Sequence, residues 1–370
     1  MKLSKDPRPR KTVTLADVAQ LCNVSVSSVS LVLNDKPLAN MLSETTRATV
    51  RAAVRKLGYT PNRNAQALRS QRSSTIGVVV FDIADPFCTL ILKGIQTALE
   101  PSGMLPIIMD ATNQGEQFER YLALMSEHRV EGLIVVANWL LADKDITGNL
   151  EAFAVPVVIV GRQVDSPTVC SVLVDNEKGG FLALQHLYLM GHRRIAVICG
   201  PKGLQDSRRR REGIERYAES VGLELDKDLI LEMPDAANAL AGFDAGYEAM
   251  TCLLAAGKSF SAVLAFDDLT ALGAIRALHE NGLRVPEEVS VIGFDDIPAA
   301  SLTTPGLSTI RQDMNAMGVT AAEHIIAMIE TRGTTNALAS VYLAKPMVIS
   351  RESTSPLTRA ARKKQLHGAA

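Results

Sequence analysis

Residues 23–34 read NVSVSSVSLVLN, and the first half alternates valine with serine as an edge β-strand would. The flanking residues decide otherwise. Thr14 precedes LADVAQLC (15–22), with Asp17 three residues on. At that spacing an N-cap hydroxyl and an N3 carboxylate satisfy each other's backbone donors. Leu15, Val18, Ala19 and Cys22 fall at i, i+3, i+4 and i+7, which is one helical face. Asn23 tolerates the left-handed conformation of a tight turn. Ser25 is a good N-cap for a second helix, and Val29, Val32 and Leu33 give it a short apolar stripe. Helix, tight turn, helix is the DNA-binding helix-turn-helix pattern.

A third helix is expected from Ser43 as cap, through Val50, Ala53, Val54 and Leu57, to Gly58 as the stop. Arg47, Arg51, Arg55 and Lys56 decorate it. YTPNRNAQALRSQRSS (59–74) then offers a helix start at Pro61 and ends in a polar joint.

Charge is divided along the chain. Residues 1–72 carry 13 Lys/Arg against four Asp/Glu, and the other 298 carry 26 against 36, for a net of −1. A basic head on an acidic body points to a polyanion met by the head alone; a solvated basic tail is the plainer alternative. Five scattered cysteines without a CxxC argue against a disulfide framework or a zinc site. No apolar run approaches the ~20 residues that span a bilayer. The N-terminus has no apolar stretch followed by a cleavage site, so a cytoplasmic protein is expected.

From Thr75 the pattern changes. Buried β-runs TIGVVVF, LPIIMDA, GLIVVA and VPVVIVG alternate with helical stretches, and a second such series begins near Val172. Alternation of this kind gives parallel strands with crossover helices. The fold expected is therefore an α/β core of two doubly wound parallel-sheet subdomains, preceded by a small all-α helix-turn-helix domain. No enzyme signature stands out: GPKG (200–203) lacks a following GK[ST], no GxSxG elbow occurs, and His186 and His192 have no ligand partner at metal-binding spacing. No catalytic residue, metal or cofactor is expected.

The segment VTLADVAQLCNVSVSSVSLVLN, the run LGYTPNRNAQALRSQRSSTIGVVV, and then DIADPF (82–87), VDNEKGG (174–180), MGHRRIAVICGP (190–201), GLRVPEEVSVIGFDD (282–296) and ISREST (349–354) form an ordered series. Over about residues 12–355 it resembles the LacI/GalR family of bacterial transcriptional repressors, whose core is like the periplasmic sugar-binding proteins. The resemblance implies a helix-turn-helix domain at 1–60, a hinge helix and linker at 61–74, and an effector-binding and dimerisation core at 75–355. Within the core it implies one subdomain of about 75–172 and 304–336 and another of about 173–303 and 337–355, followed by a disordered basic tail at 356–370. Crossings between lobes are expected near 171–174, 303–308 and 335–340.

The resemblance further implies that the second helix enters the major groove, with Val26, Ser27 and Leu31 at base-reading positions. Many family members carry arginine where Leu31 stands, so this face is poor in donors and suits thymine methyls. Ser25, Ser28 and Ser30 are expected to hold phosphates or backbone-proximal edges, and Thr14, Asn34, Tyr59, Asn62 and Arg63 complete the DNA-contacting set. Leu68, with Ala65 beside it, is the expected minor-groove wedge. The loop DKPLANMLSETTR (35–47) is roughly three residues longer than is common in the family.

For the core, the family's cleft residues match Asp85, Phe87, Cys88, Arg162, Arg210, Asp267, Asp295 and Gln312. They imply a carbohydrate-like effector gripped by alternating donors and acceptors. Asp268 and Asp296 are expected to cap helices, and Trp139 either rims the cleft or packs. The tail has no heptad repeat, so a homodimer on a pseudo-palindromic operator is expected. The competing function is a solute-binding protein of a sugar transporter, against which the basic head and the lack of a signal sequence both count.

Overall fold

The computed structural model describes residues 13–33, 37–59, 72–137, 146–234, 241–331 and 341–357. Asn34, Asn62, Arg63, Ala65, Leu68, Trp139 and residues 358–370 lie outside this set. The chain divides into two compact units, Met1–Ser73 and Ser74–Ala370.

In the first unit, α1 (Leu15–Cys22), α2 (Val26–Leu33) and α3 (Glu44–Leu57) enclose a core of Val18, Ala19, Val29, Val32, Val50 and Ala53. The opening stretch is thus a turn and a helix, not a strand. Its local chemistry fixes this. Asp17 N–H donates to Thr14 Oγ1 at 3.3 Å while Thr14 N–H donates to Asp17 Oδ2 at 2.7 Å, the full reciprocal cap. Asn23 closes α1 in the left-handed conformation at φ 53°, and α2 departs at 105° to α1. The long loop after α2 is taken up by a 3-10 turn, Pro37–Met41, which buries Ala39. Ser43 caps α3, and Gly58 ends it at φ 62°.

The second unit holds two six-stranded sheets. The first contains β1 (Thr75–Val80), β2 (Leu105–Asp110), β3 (Gly132–Val136), β4 (Val157–Val160) and β5 (Val169–Val174), with β11 (Val341–Ala344) as an added edge. Its order is β11-β5-β4-β3-β1-β2 and every pairing is parallel. The second contains β6 (Ile195–Cys199), β7 (Ile230–Glu232), β8 (Ala262–Ala265), β9 (Ser290–Asp295), β10 (Ser308–Arg311) and β12 (Met347–Ile349). Its order is β12-β10-β9-β8-β6-β7, with only β12 antiparallel. β1, β3 and β4 are buried almost throughout, as strands covered by helices on both faces must be.

This topology corrects two of the expected crossings. β10 pairs with β9 in the second sheet, so residues 308–311 do not belong with the first subdomain as expected. The chain instead crosses after Arg311, entering α12 (Met314–Glu330), which packs against α4 (Pro86–Leu99). β11 pairs with β5 in the first sheet, so the last crossing falls between Ala344 and Met347 rather than at 335–340. The reason is physical. A strand is readable from local pattern, but which sheet it joins is a non-local pairing that short runs such as STIR do not encode. Asp175 N–H donates to Ala344 O at 3.0 Å, tying the first crossing to the third.

Candidate functional site

In the first unit, Val26 is 44% exposed and Ser27 is exposed, whereas Leu31 is half-buried. Ser25 Oγ accepts from Ser28 N–H at 3.0 Å and pairs with Ser28 Oγ at 2.9 Å, so both serines are engaged in capping α2. The hydroxyl of Thr14 is similarly held by Asp17. Ser30 and Tyr59 are half-buried, and Tyr59 packs against the small core. What this helix offers outward at its N-terminus is therefore one valine and one serine, a surface that can contact methyl groups and a single polar edge.

In the second unit, the expected cleft residues stand at the C-terminal ends of parallel strands, where ligands bind in open α/β sheets. Asp85 follows β1, Arg162 follows β4, Asp267 follows β8, Asp295 ends β9 and Gln312 follows β10. Arg210 projects from α8 (Gln205–Ser220). Close packing of α8 on α7 (Asn176–Leu189) needs Gly180, since a Cβ there would collide with the Arg210 carbonyl oxygen.

Arg210 is the hub. Its Nε donates to Asn176 Oδ1 at 2.8 Å, Nη1 donates to Phe266 O at 2.6 Å, and Nη2 lies 3.6 Å from Asp295 Oδ1. Its guanidinium stacks on Phe294 at 3.6 Å and faces Phe266 at 4.6 Å. Gln312 Nε2 donates to the same Asp295 oxygen. Asp295 and Asp296 both have positive φ, 112° and 59°. Such conformations cost about 1–3 kcal/mol each in a residue with a side chain. The twist sends consecutive carboxylates to different partners: Asp295 to Arg210, and Asp296 to Arg311 and Arg351 at 2.6 Å each.

The structure thus brings Arg210, Asp295 and Gln312 into one bonded group and sets Asp85 and Asp267 within electrostatic reach of it. Asp85 caps α4 by accepting from Phe87 N–H at 2.8 Å, and Asp267 caps α10 (Asp268–Glu280) by accepting from Thr270 N–H at 2.7 Å. Asp268 does not cap: it is wholly buried and accepts from Thr309 Oγ1 at 2.6 Å and Ile297 N–H at 2.9 Å. Asp296 does not cap either, being the ion-pair partner just described. Cys88 has no exposed surface and Phe87 is nearly as buried, so both belong to the hydrophobic core and Cys88 presents nothing to a ligand. Burial raises the Cys88 thiol well above its ordinary range.

Two residues that sequence reading passed over join the group. Asp206, on the first turn of α8, accepts from Asn176 Nδ2 at 2.9 Å, and Asn176 in turn accepts from Arg210. Asp206 and Arg162 both line a pocket of ≈ 140 Å³, together with Gln163, Leu204 and Arg208. Asn176 lies in the quoted VDNEKGG motif. An asparagine two residues past the end of β5 was the available signal.

Burial governs the acids. It raises Asp85 to about 7, with Asp267 and Asp82 adding repulsion, while the Phe87 amide opposes the shift. It raises Asp206 to about 6 against the pull of Arg210, and Asp268 to about 8 against its two hydrogen-bond donors. Asp295 and Asp267 are also raised by burial, with Arg210 opposing. No group of three or more potential metal ligands occurs among the described residues. His192 bonds Ser261 Oγ at 2.9 Å and Ser355 O at 3.0 Å, and His186 bonds Thr354 Oγ1 at 3.0 Å, so both histidines anchor the C-terminal segment.

Residues 73–346 match the family described as periplasmic binding proteins and sugar binding domain of LacI family, and residues 14–62 match bacterial regulatory proteins, lacI family. The chain is 32% identical to the HTH-type transcriptional regulator GalR of Escherichia coli K12, over 86% of this chain and 90% of that one. A solved Lac repressor dimer bound to operator and the anti-inducer ONPF is 29% identical, covering 93% of this chain and 100% of its own, with a TM-score of 0.79. The complex of the transcriptional regulator CelR with cellobiose is 31% identical, covering 92% and 99%, with a TM-score of 0.67.

Proposed function

Because this chain belongs to the LacI family of bacterial regulatory proteins, we propose that it is a sequence-specific DNA-binding transcriptional repressor whose operator affinity is set by a small carbohydrate-like effector held between the lobes of its core. The carrying observation is the pairing of two features in one chain. A capped, tightly turned helix pair presents Val26 and Ser27 outward, and a separate unit gathers Arg210, Asp295 and Gln312 at its strand ends.

The protein acts as a homodimer on a pseudo-palindromic operator, in the cytoplasm, and is not an enzyme. The relatives named above support this reading: a GalR regulator, an operator-bound Lac repressor dimer and a cellobiose-bound CelR. In the core, donors and acceptors alternate: Arg162 and Arg210 as donors, Asp85, Asp267 and Asp295 as acceptors, Gln312 as both. Vicinal hydroxyls need such a set. In the head, Val26, Ser27 and Leu31 read the major groove, Ser25, Ser28 and Ser30 meet the backbone, and Leu68 wedges the minor groove.

Selection of operators from random duplex DNA, using the full chain, tests the DNA half. A leucine at position 31 offers no hydrogen bond, so the base pair it faces should be weakly specified. Leu31→Arg should move that position towards G·C by ~1–3 kcal/mol, the value of a bidentate contact to guanine. An unchanged consensus would show that residue 31 is not at the groove.

A further inference from the structure

The ≈ 140 Å³ pocket that Asp206 lines has charges of its own. Arg162 belongs to the first-sheet lobe, where Gly161, at φ 88°, turns the chain as it leaves β4. Arg208 belongs to the second lobe, near the start of α8. It opens a run of four arginines, of which the other three pair with carboxylates: Arg209 with Glu212 at 3.2 Å, Arg210 with Asp295 at 3.6 Å and Arg211 with Glu215 at 2.8 Å. The Arg208 guanidinium has no carboxylate partner among the described residues. Asp206 is the acid in the lining. Its Oδ1 accepts from Asn176 Nδ2 at 2.9 Å, and burial raises its titration to about 6. Asp85, Asp267 and Asp295 do not line this pocket. Lys202, just before the lining residue Gly203, is held by Glu232 at 2.6 Å.

Two guanidiniums, one from each lobe, thus border a small space that holds one carboxylate, itself engaged. Like charges around such a space repel until an anion joins them. Leu204, at the cap of α8, makes no side-chain capping bond, so the positive end of that helix adds to the same field. A carboxylate brings one charge, which a single bidentate guanidinium satisfies. A phosphate monoester brings about −1.5 to −2 near pH 7 and three acceptor oxygens, enough for two guanidinium forks at once. Size agrees, since a cavity of about 150 Å³ takes a benzene-sized guest. The pocket therefore admits a phosphate and the carbon that bears it, and the rest of the ligand lies outside.

We infer that this pocket receives the phosphate of a phosphorylated sugar, gripped by Arg162 of one lobe and Arg208 of the other, and that the effector is a sugar phosphate in preference to its neutral parent. The inference rests on the reading of the cleft as the effector site. Asn176, bonded to both Asp206 and Arg210, connects the pocket to the hub, where the sugar hydroxyls are met. The phosphate joins two lobes whose guanidiniums otherwise repel.

The test uses the full-length protein near neutral pH. Inorganic phosphate, against chloride at equal ionic strength, should raise the melting temperature of the core, because a ligand bound only by the native state stabilises it. Phosphate also stabilises proteins by exclusion from their surfaces, an effect that point variants share. The specific part should vanish in Arg208→Gln and Arg162→Gln and persist in Arg209→Gln, whose arginine is the next one along α8 and outside the pocket. Calorimetry then compares glucose 6-phosphate, fructose 6-phosphate and ribose 5-phosphate with their neutral parents and with gluconate. The best-bound sugar should lose at least about tenfold in affinity without its phosphate, and its phosphate ester should lose about tenfold in Arg208→Gln. Arg208 is exposed, so this variant should fold even if Arg162→Gln does not.

An equal rise in melting temperature for wild type and a folded Arg208→Gln would overturn the inference. So would a neutral parent or gluconate that binds as tightly as any phosphate ester, and either result leaves the effector reading standing. No binding of any sugar, phosphorylated or neutral, would refute the carbohydrate-effector reading itself, and the inference with it.

Discussion

In residues 13–59 the polar side chains find their partners within a few positions: Thr14 with Asp17, Ser25 with Ser28, Ser43 with Thr46. In the cleft, Arg210 reaches Asn176 and Phe266, 34 and 56 positions away in sequence, and Asp295 further still. The head spends its polar groups on holding short helices together and leaves a nearly featureless outer face. The core imports charge into a buried place and leaves it partly unsatisfied. A surface that reads DNA can be built by local rules, because the duplex supplies the complementary charge and the grooves supply the shape. A pocket that responds to a small molecule needs groups that are costly until the ligand arrives, and only distant chain segments can be brought together in that way.

The largest expected effect breaks the core and spares the head. Arg210→Ala removes the ion-pair partner of Asp295, which keeps only the Gln312 amide, and takes the donor away from the Asn176 side-chain oxygen and the Phe266 carbonyl. Removing one partner of a buried pair typically costs 3–5 kcal/mol, so urea unfolding of the core should shift by roughly that amount. Hydrogen exchange in α1–α3 should be unchanged. A core as stable as wild type would mean that water replaces the guanidinium, and that the hub is less buried than the geometry indicates.

The second effect is one of pH. Burial raises Asp85 to about 7 and Asp268 to about 8 in the folded core, both above the ordinary carboxylate value. An acid whose folded titration is raised stabilises fully below its unfolded pKa, and that contribution is lost as pH rises through the folded value. Between about pH 4 and pH 7–8 the native core holds protons that the unfolded chain has released. Its stability should therefore fall by about 1.4 kcal/mol per pH unit for each proton retained. Calorimetric melting of the ligand-free protein across this range should show the core transition moving down while helix content from the head stays level. A core transition that rises over the same range would contradict the assignment of these acids as protonated.

The smallest effect falls on the head. Thr14→Ala removes the side chain that accepts from Asp17 N–H, and loss of an N-cap costs about 1 kcal/mol. Amide exchange in α1 should quicken by about fivefold, the factor that such a loss implies, with no change in the core. Equal quickening in both units would show that the two are not energetically separate.

Much of the head was legible because its signals are local. Thr14, Asp17, Asn23 and Ser43 occupy their caps where the spacing placed them, and Val29 and Val32 are buried as the stripe required. Leu31 was not fully legible. It reads as outward on a helical wheel, yet it is half-buried, a degree of cover that periodicity does not report. In the cleft, the strand-end rule placed Asp295, Gln312 and Asp267 correctly at their strand ends. It failed for Cys88, which follows β1 in sequence but turns wholly into the core, and it passed over Asn176 and Asp206 on the helices that follow the strands.

The sequence by itself determined the elements: three capped helices, two series of buried strands and the helices between them. Periodicity, caps and turn residues are properties of a few consecutive positions. Only the tertiary structure decided that β10 belongs to the second sheet and β11 to the first, and that Asp295 turns to Arg210 while Asp296 turns away. The same holds for the repulsion that Asp267 of one lobe exerts on Asp85 of the other. These are pairings between residues far apart in the chain, and their energies arise from burial, because a carboxylate acquires its unusual behaviour only where the folded protein has taken its water away.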